Sequence, residues 1–221
     1  MRDTMELVSG VDLHFITSKK FKTNRIKMRF SAPMSTDTIA GRVLVASMLE
    51  TANEIYPTSQ IFRERLATLY GANFSTGLSR RGLIHYVDLN TSFVSDAFLS
   101  RKNTLTVEIL DFLKDSLLRP LANGGAFNQA VFEIEKKNVL NDLKTEIEDH
   151  FYHAHQELNK LFYTEKGMQT SRLATPDLVD KETPESSFAI FQKMLQNDKI
   201  DIFFMGDFNE IEVCEYMKTF G

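Results

Sequence analysis

The first part of the chain alternates between apolar and polar residues before it changes to a helical spacing. The runs Val11–Thr17 and Arg25–Ala32 place an apolar side chain at every second position. A period of two residues is that of a half-buried β-strand. The two runs are therefore predicted to pair as a hairpin, with Lys19, Lys20 and Lys22 in the solvated connection.

The remaining segments alternate between helical and strand-like spacing. Further strands are predicted at Asn73–Arg80, Leu83–Thr91 and Ile200–Met205. Helices are predicted from Ile39 to Leu49 behind a cap at Thr36 or Thr38, and from the residues after Pro57–Ser59 to just before Gly71. Three more are predicted at Asn103–Leu118, Asn128–Tyr163 and Pro184–Gln196. Strands and helices are largely segregated in this order, which predicts an α+β fold: an antiparallel sheet with helices packed on one face.

Composition and charge narrow the class of protein. The chain has 221 residues, 43% of them hydrophobic and 25% charged, and a net charge of −4 without any run of Lys or Arg. Nucleic-acid binding normally requires a basic patch, so no nucleic-acid partner is expected. No apolar run approaches the roughly 20 residues that span a bilayer, so no membrane partner is expected. The single cysteine, Cys214, excludes an internal disulfide, and a cytoplasmic location is predicted.

The candidate chemistry lies on the first predicted helix. Neither His-Glu-x-x-His nor the inverted His-x-x-Glu-His occurs in the chain. In the inverted motif, two His at i and i+4 share a helical face and hold zinc, and the Glu between them is the general base. The run Arg42–Thr51 lies on this first helix.

This run resembles the pitrilysin and mitochondrial-processing-peptidase family of inverzincins. The family places Gly-x-x-His-x-x-Glu-His on the first helix after two strands, where Arg42–Thr51 stands. Similar segments follow in the same order across residues 5 to 221. They are Phe62–Ser75, Leu117–Pro120, Phe132–Val139 and Phe203–Asp207. The resemblance implies a metallohydrolase-like, processing-peptidase-like domain that spans residues 1–221 as the N-terminal module of a longer protein.

The resemblance also implies a degenerate catalytic site. Ser47 and Thr51 stand at the two histidine positions, Glu50 at the catalytic glutamate, and Asp142 at the third metal ligand, with Glu135 one helical repeat earlier. Hydroxyl groups are poor zinc ligands compared with imidazole. No catalytic residue and no cofactor is therefore expected.

A second group of possible metal ligands lies on the predicted helix Asn128–Tyr163. Glu146, His150 and His153 are spaced i, i+4 and i, i+3, so one helical face can present all three. The same pattern is typical of a polar helix surface, and no base or substrate pocket is evident beside it. A solvated helix face is the favoured interpretation, and no metal is expected there.

The resemblance implies a catalytically inactive peptidase homologue that acts as a peptide-binding or partner-binding subunit. It is similar to the helper halves of paired peptidases and to non-catalytic bacterial relatives associated with elongation factor P modification. The expected partner is a homologous zinc peptidase subunit or a second copy of the chain. Two alternatives stay open: a zinc-dependent endopeptidase with other ligands, which would carry zinc, and a scaffold that binds peptides alone through a sheet edge.

Overall fold

The computed structural model describes residues 2–100 and 104–220. The strands are β1 (Arg2–Val8), β2 (Val11–Thr17), β3 (Thr23–Pro33), β4 (Asn73–Arg81), β5 (Ile84–Val94), β6 (Ala122–Asn123), β7 (Ala126–Phe127) and β8 (Lys199–Gly206). The helices are α1 (Ile39–Thr51), α2 (Ser59–Thr68), α3 (Leu105–Leu118), α4 (Gln129–Glu148), α5 (His150–Phe162), α6 (Lys166–Gln169), α7 (Pro176–Lys181), α8 (Pro184–Asn197) and α9 (Glu210–Met217).

Six strands form one mixed sheet in the order β1-β2-β8-β3-β5-β4, and β6 and β7 pair separately. Every pair in the large sheet is antiparallel except β2 and β8, which run parallel. The α+β class predicted from the sequence is confirmed, with this one parallel pair as a departure from a purely antiparallel sheet. Within the described ranges, no helix is long and apolar enough to cross a membrane.

The predicted hairpin between residues 11–17 and 25–32 is wrong. Strand β8 lies between β2 and β3, so that Leu13 pairs with Ile202 on one side and Met28 pairs with Ile202 on the other. The edge strand β1, which the sequence did not predict, pairs with the other side of β2. Alternation shows that a segment is a strand, but it carries no information about which strand lies beside it.

The two faces of the sheet differ in polarity. On one face, Ile26, Met28 and Phe30 of β3 are almost fully buried in the core under the helices. On the other face, Lys27 and Arg29 pair with Asp88 of β5 at 3.0 and 2.7 Å. The helices therefore need to cover only one face, and α1 is buried between the sheet, α4 and α8.

The long predicted helix Asn128–Tyr163 is two helices. Asp149 interrupts it with φ −72° and ψ 105°, which is an extended conformation. Its carboxylate accepts hydrogen bonds from the backbone N–H groups of Phe151 and Tyr152, and it thereby caps α5. An Asp that can cap a new helix offsets the loss of helical hydrogen bonds at the break.

Candidate functional site

Helix α1 is buried along almost its whole length, and three residues are exceptions. Every residue from Ile39 to Leu49 is buried apart from Ser47, and beyond it only Glu50 and Thr51 are half-buried. The spacing i, i+3, i+4 puts these three side chains on one face, one turn apart. The only solvent-accessible face of α1 is therefore formed by the three residues that the sequence singles out.

Helix α4 faces this part of α1. The Ser47 hydroxyl donates a hydrogen bond of 2.7 Å to Oε2 of Glu135, a buried carboxylate on α4. The same oxygen lies 3.5 Å from Nδ2 of Asn138. The Thr51 hydroxyl instead donates to the backbone carbonyl of Ser47, at 3.0 Å. Glu135 is thus the carboxylate that the fold brings to α1.

Asp142 lies two turns further along α4 and is exposed. It lines an open pocket of about 620 Å³ that Ser47, Glu50 and Thr51 also line. Among the described residues it makes no hydrogen bond to Ser47, Glu50 or Thr51. The third metal-ligand position was expected at Asp142, but the residue in contact with Ser47 is Glu135.

Glu50 is held by the neighbouring edge strand. Its Oε2 accepts hydrogen bonds from the backbone N–H and the hydroxyl of Thr76 on β4, both at 2.8 Å. Its Oε1 lies 3.6 Å from the guanidinium of Arg63 on α2. The carboxylate therefore ties the end of α1 to β4. Sequence reasoning missed Thr76, because its approach to Glu50 depends on the packing of β4 against α1.

The donor set in the pocket does not fit a catalytic zinc ion. Such a site requires three strong ligands, drawn from imidazole, thiolate or carboxylate, and one open position. Here the Glu135 carboxylate is a suitable ligand. The Ser47 hydroxyl, however, donates a hydrogen bond to that same carboxylate, and the Thr51 hydroxyl donates one to a backbone carbonyl of its own helix. Two of the three positions thus carry neutral hydroxyl groups that already have partners.

The second predicted group of ligands does not share a helical face. Glu146 lies on α4, whereas His150 and His153 lie on α5, beyond the break at Asp149. Glu146 lies 3.7 Å from the guanidinium of Arg172, and the two histidines are exposed. The i, i+4 spacing between Glu146 and His150 therefore does not correspond to one turn of helix.

A different His and Asp cluster lies on the polar face of the sheet. Ligand atoms of Asp12, His14 and Asp201 lie within 4.8 Å of one another. The ammonium group of Lys199 contacts both aspartates, and Nε2 of His14 lies 2.8 Å from Asp201. The alternation of β2 places Asp12 and His14 on one face, but only the pairing with β8 adds Asp201. The ammonium group of Lys199 therefore already places a positive charge beside the two carboxylates of this cluster.

Comparisons with known proteins identify the fold. No family model matches the chain. In sequence it is 23% identical over 214 residues to the Bacillus subtilis protein named "Probable inactive metalloprotease YmfF", covering 95% of this chain and 50% of that protein. A conserved protein from Enterococcus faecalis V583 has a solved structure with TM-score 0.96 and 34% identity, covering 99% of this chain and 52% of that one. The peptidase M16 inactive domain from Pseudomonas fluorescens matches with TM-score 0.75 and 15% identity, over 100% of this chain and 50% of that one.

The fold defines a peptidase-type domain, and hydroxyl groups stand at the two positions, Ser47 and Thr51, that the resemblance matches to metal-binding histidines. The comparisons confirm the resemblance to the pitrilysin type of peptidase and to its non-catalytic relatives, and the fold is that of M16 peptidase domains. The chain is similar to peptidase homologues that are themselves named inactive. It spans about half the length of the relatives that it matches.

Proposed function

We propose that this chain binds extended peptides or a partner protein in the pocket between α1, α4 and β4, without cutting them and without a metal cofactor. The observation that carries the proposal is the position of the pocket. It lies between the three accessible residues of α1 and the edge strand β4, and Thr76 and Leu78 of β4 line it. The resemblance matches this pocket to the active site of a peptidase, and the hydroxyl groups of Ser47 and Thr51 at the expected histidine positions are poor zinc ligands.

The edge strand supplies a physical basis for peptide binding. Within the described residues β4 pairs only with β5, so no strand pairs with its other edge. An extended peptide can add to such an edge through main-chain hydrogen bonds. The Thr76 N–H points to this free edge, since it bonds Glu50 rather than β5. By the period of two, the N–H of Leu78 points the same way.

The role of Glu50 supports the non-catalytic part of the proposal. A general base must accept a proton from the attacking water, and a metallopeptidase needs a metal to acidify that water. Glu50 instead accepts two hydrogen bonds from Thr76, which makes it a structural tie between α1 and β4. The replacement of imidazole at Ser47 and Thr51 supports the absence of zinc.

The greater length of the relatives supports a second domain or subunit that acts together with this chain. Because the chain matches about half of each, a second peptidase-like domain or subunit beside it is part of the proposal. That partner is a homologous zinc peptidase subunit or a second copy of the chain. The cytoplasmic location inferred from the single cysteine belongs to the proposal as well.

Peptide binding is tested with a fluorescein-labelled unstructured peptide, by anisotropy. Leu78→Pro removes one free-edge N–H and leaves the ladder to β5 in place, because the lost donor faces away from β5. We expect Leu78→Pro to weaken binding at least tenfold. Leu78→Ala is the matched control, since it shortens the same side chain and keeps the N–H, and we expect it to bind the peptide. The thermal midpoint of each variant checks that both are folded.

Mass spectrometry of the bound peptide tests the absence of cleavage. An intact peptide after long incubation supports the proposal. Cleavage that both 1,10-phenanthroline and Glu50→Gln abolish would instead establish the alternative, a zinc-dependent endopeptidase. No binding of any extended peptide by the wild-type chain would contradict the peptide-binding proposal.

A further inference from the structure

Helix α5 presents its apolar side to solvent and its polar side to the protein. The residues that turn toward the rest of the fold are polar or amphipathic: Tyr152, Gln156 and Asn159 are buried or half-buried. The Tyr152 hydroxyl lies 2.7 Å from Oγ of Ser171, so this side of α5 is held by hydrogen bonds. An ordinary surface helix has the opposite orientation, with its apolar stripe against the core.

The residues that turn away from the fold are large and apolar. The α5 outer face consists of Phe151 (89% exposed), Leu158 (57%), Leu161 (86%) and Phe162 (74%). From Phe151 to Phe162 it extends roughly 16 Å along the helix. Together these side chains expose on the order of 600 Å² of apolar surface, which is the upper end of what a monomer usually shows in one patch. A surface of this kind marks an interface.

We infer that the α5 outer face is a self-association surface, on which a second copy of this chain packs its own α5 in the antiparallel direction. In a twofold dimer, the same patch on both subunits must be self-complementary. The antiparallel arrangement brings Phe151 of one chain near Leu161 and Phe162 of the other, with Leu158 near the axis.

Charge and area favour a second copy as the occupant. The charged neighbours Glu157 and Lys160 already pair with each other at 2.6 Å, so the face carries no net charge and two copies of it do not repel. The two faces together bury on the order of 1,200 Å², the lower limit for a specific interface. The expected dimer is therefore weak, with a dissociation constant on the order of micromolar. A neutral rim also gives the face no attraction for anionic lipid.

The inference rests on the proposed function only for the expectation of a homologous partner. None of the four residues of the α5 outer face lines the pocket beside β4. Peptide binding and self-association can therefore fail independently, and each variant below is also tested for peptide binding by anisotropy.

Sedimentation equilibrium of the 221-residue chain over a wide concentration range tests the inference. We expect the average mass to rise with concentration from 25.3 kDa toward twice that value. Phe151→Ser combined with Phe162→Ser should keep the chain monomeric and leave peptide binding unchanged. Ile211→Ser is the matched control, because Ile211 is 73% exposed but lies on α9. It should dimerise as the wild type does.

Three results would overturn the inference. The wild-type chain could stay monomeric at every concentration, or it could form a dimer that the double variant forms equally well. The third is a monomeric chain that binds phosphatidylglycerol vesicles through Phe151 and Phe162, which would make lipid the occupant. Circular dichroism of the double variant checks that α5 is still helical.

Discussion

Ser47 on α1 and Glu135 on α4 lie 88 positions apart in sequence and share a hydrogen bond of 2.7 Å. The pair joins the one accessible face of α1 to a buried carboxylate. If α1 carried histidines at positions 47 and 51, Glu135 would therefore be the residue in place to act as the third metal ligand. Asp142, two turns away, is exposed and has no such contact.

Restoring imidazole at two positions should therefore create a zinc site. We expect Ser47→His with Thr51→His to bind zinc at about one ion per chain, because Glu135 is already in reach and supplies the third ligand. The wild-type chain should bind none at the same zinc concentration. Metal analysis after dialysis, with isothermal titration of apoprotein, measures the gain.

Two further substitutions in that double variant identify the third ligand. Glu135→Ala should remove most of the zinc affinity, whereas Asp142→Ala should keep it. If Asp142→Ala removes the zinc affinity and Glu135→Ala keeps it, Asp142 is the third metal ligand. If the double variant gains no affinity at all, the match of Ser47 and Thr51 to the histidine positions is wrong.

A buried ion pair holds α1 against the end of α8. Nη1 of Arg42 lies 2.7 Å from Oδ2 of Asp198, and both side chains are nearly inaccessible. Arg42→Met would leave that carboxylate buried without a partner, and we expect a loss of about 3–5 kcal/mol in the free energy of unfolding. Urea denaturation measures it. Arg119→Met, which breaks the exposed pair with Glu54, is the control and should leave the urea midpoint unchanged.

His85 makes stability depend on pH. Burial, with the charge of Arg42 nearby, lowers the pKa of His85 from 6.5 to about 4. The folded protein thus keeps His85 neutral, whereas the unfolded chain takes up a proton below about pH 6.5. Stability should be fully present above that pH and fall as pH decreases toward 4. Between pH 7 and 5 we expect a loss of about 2 kcal/mol.

The pH dependence is checked with His85→Gln. Glutamine can accept from Nε of Arg42 and donate to the Arg172 carbonyl, the two hydrogen bonds that His85 makes, but it does not titrate. Urea denaturation across this range should therefore show a flatter profile for His85→Gln. His150→Gln, at an exposed histidine, should keep the wild-type slope. Burial raises the pKa of Asp198, which acts in the opposite direction at lower pH, so the comparison stays above about pH 5.

The sequence by itself determined much of the local structure and the class of protein. The spacing of apolar residues predicted α1, and the i, i+3, i+4 positions placed Ser47, Glu50 and Thr51 on one face, because helical geometry depends only on neighbours within two turns. Gly71 was expected just after α2, and the structure has it there with φ +68°. The order of strands and helices, together with the resemblance in Arg42–Thr51, was enough for the α+β class and the inactive-peptidase interpretation.

Only the tertiary structure decided which distant segments meet. Strand β8 enters the sheet between β2 and β3, almost 190 residues after β2, and no local pattern encodes that pairing. The contact of Ser47 with Glu135 rather than Asp142 depends on how α4 is rotated against α1. The break at Asp149 turns the apolar side of α5 to solvent. The strand pairing, the rotation of α4 and the break at Asp149 each depend on how much apolar surface the whole fold buries. That free energy outweighs the helix or strand propensity of any one segment.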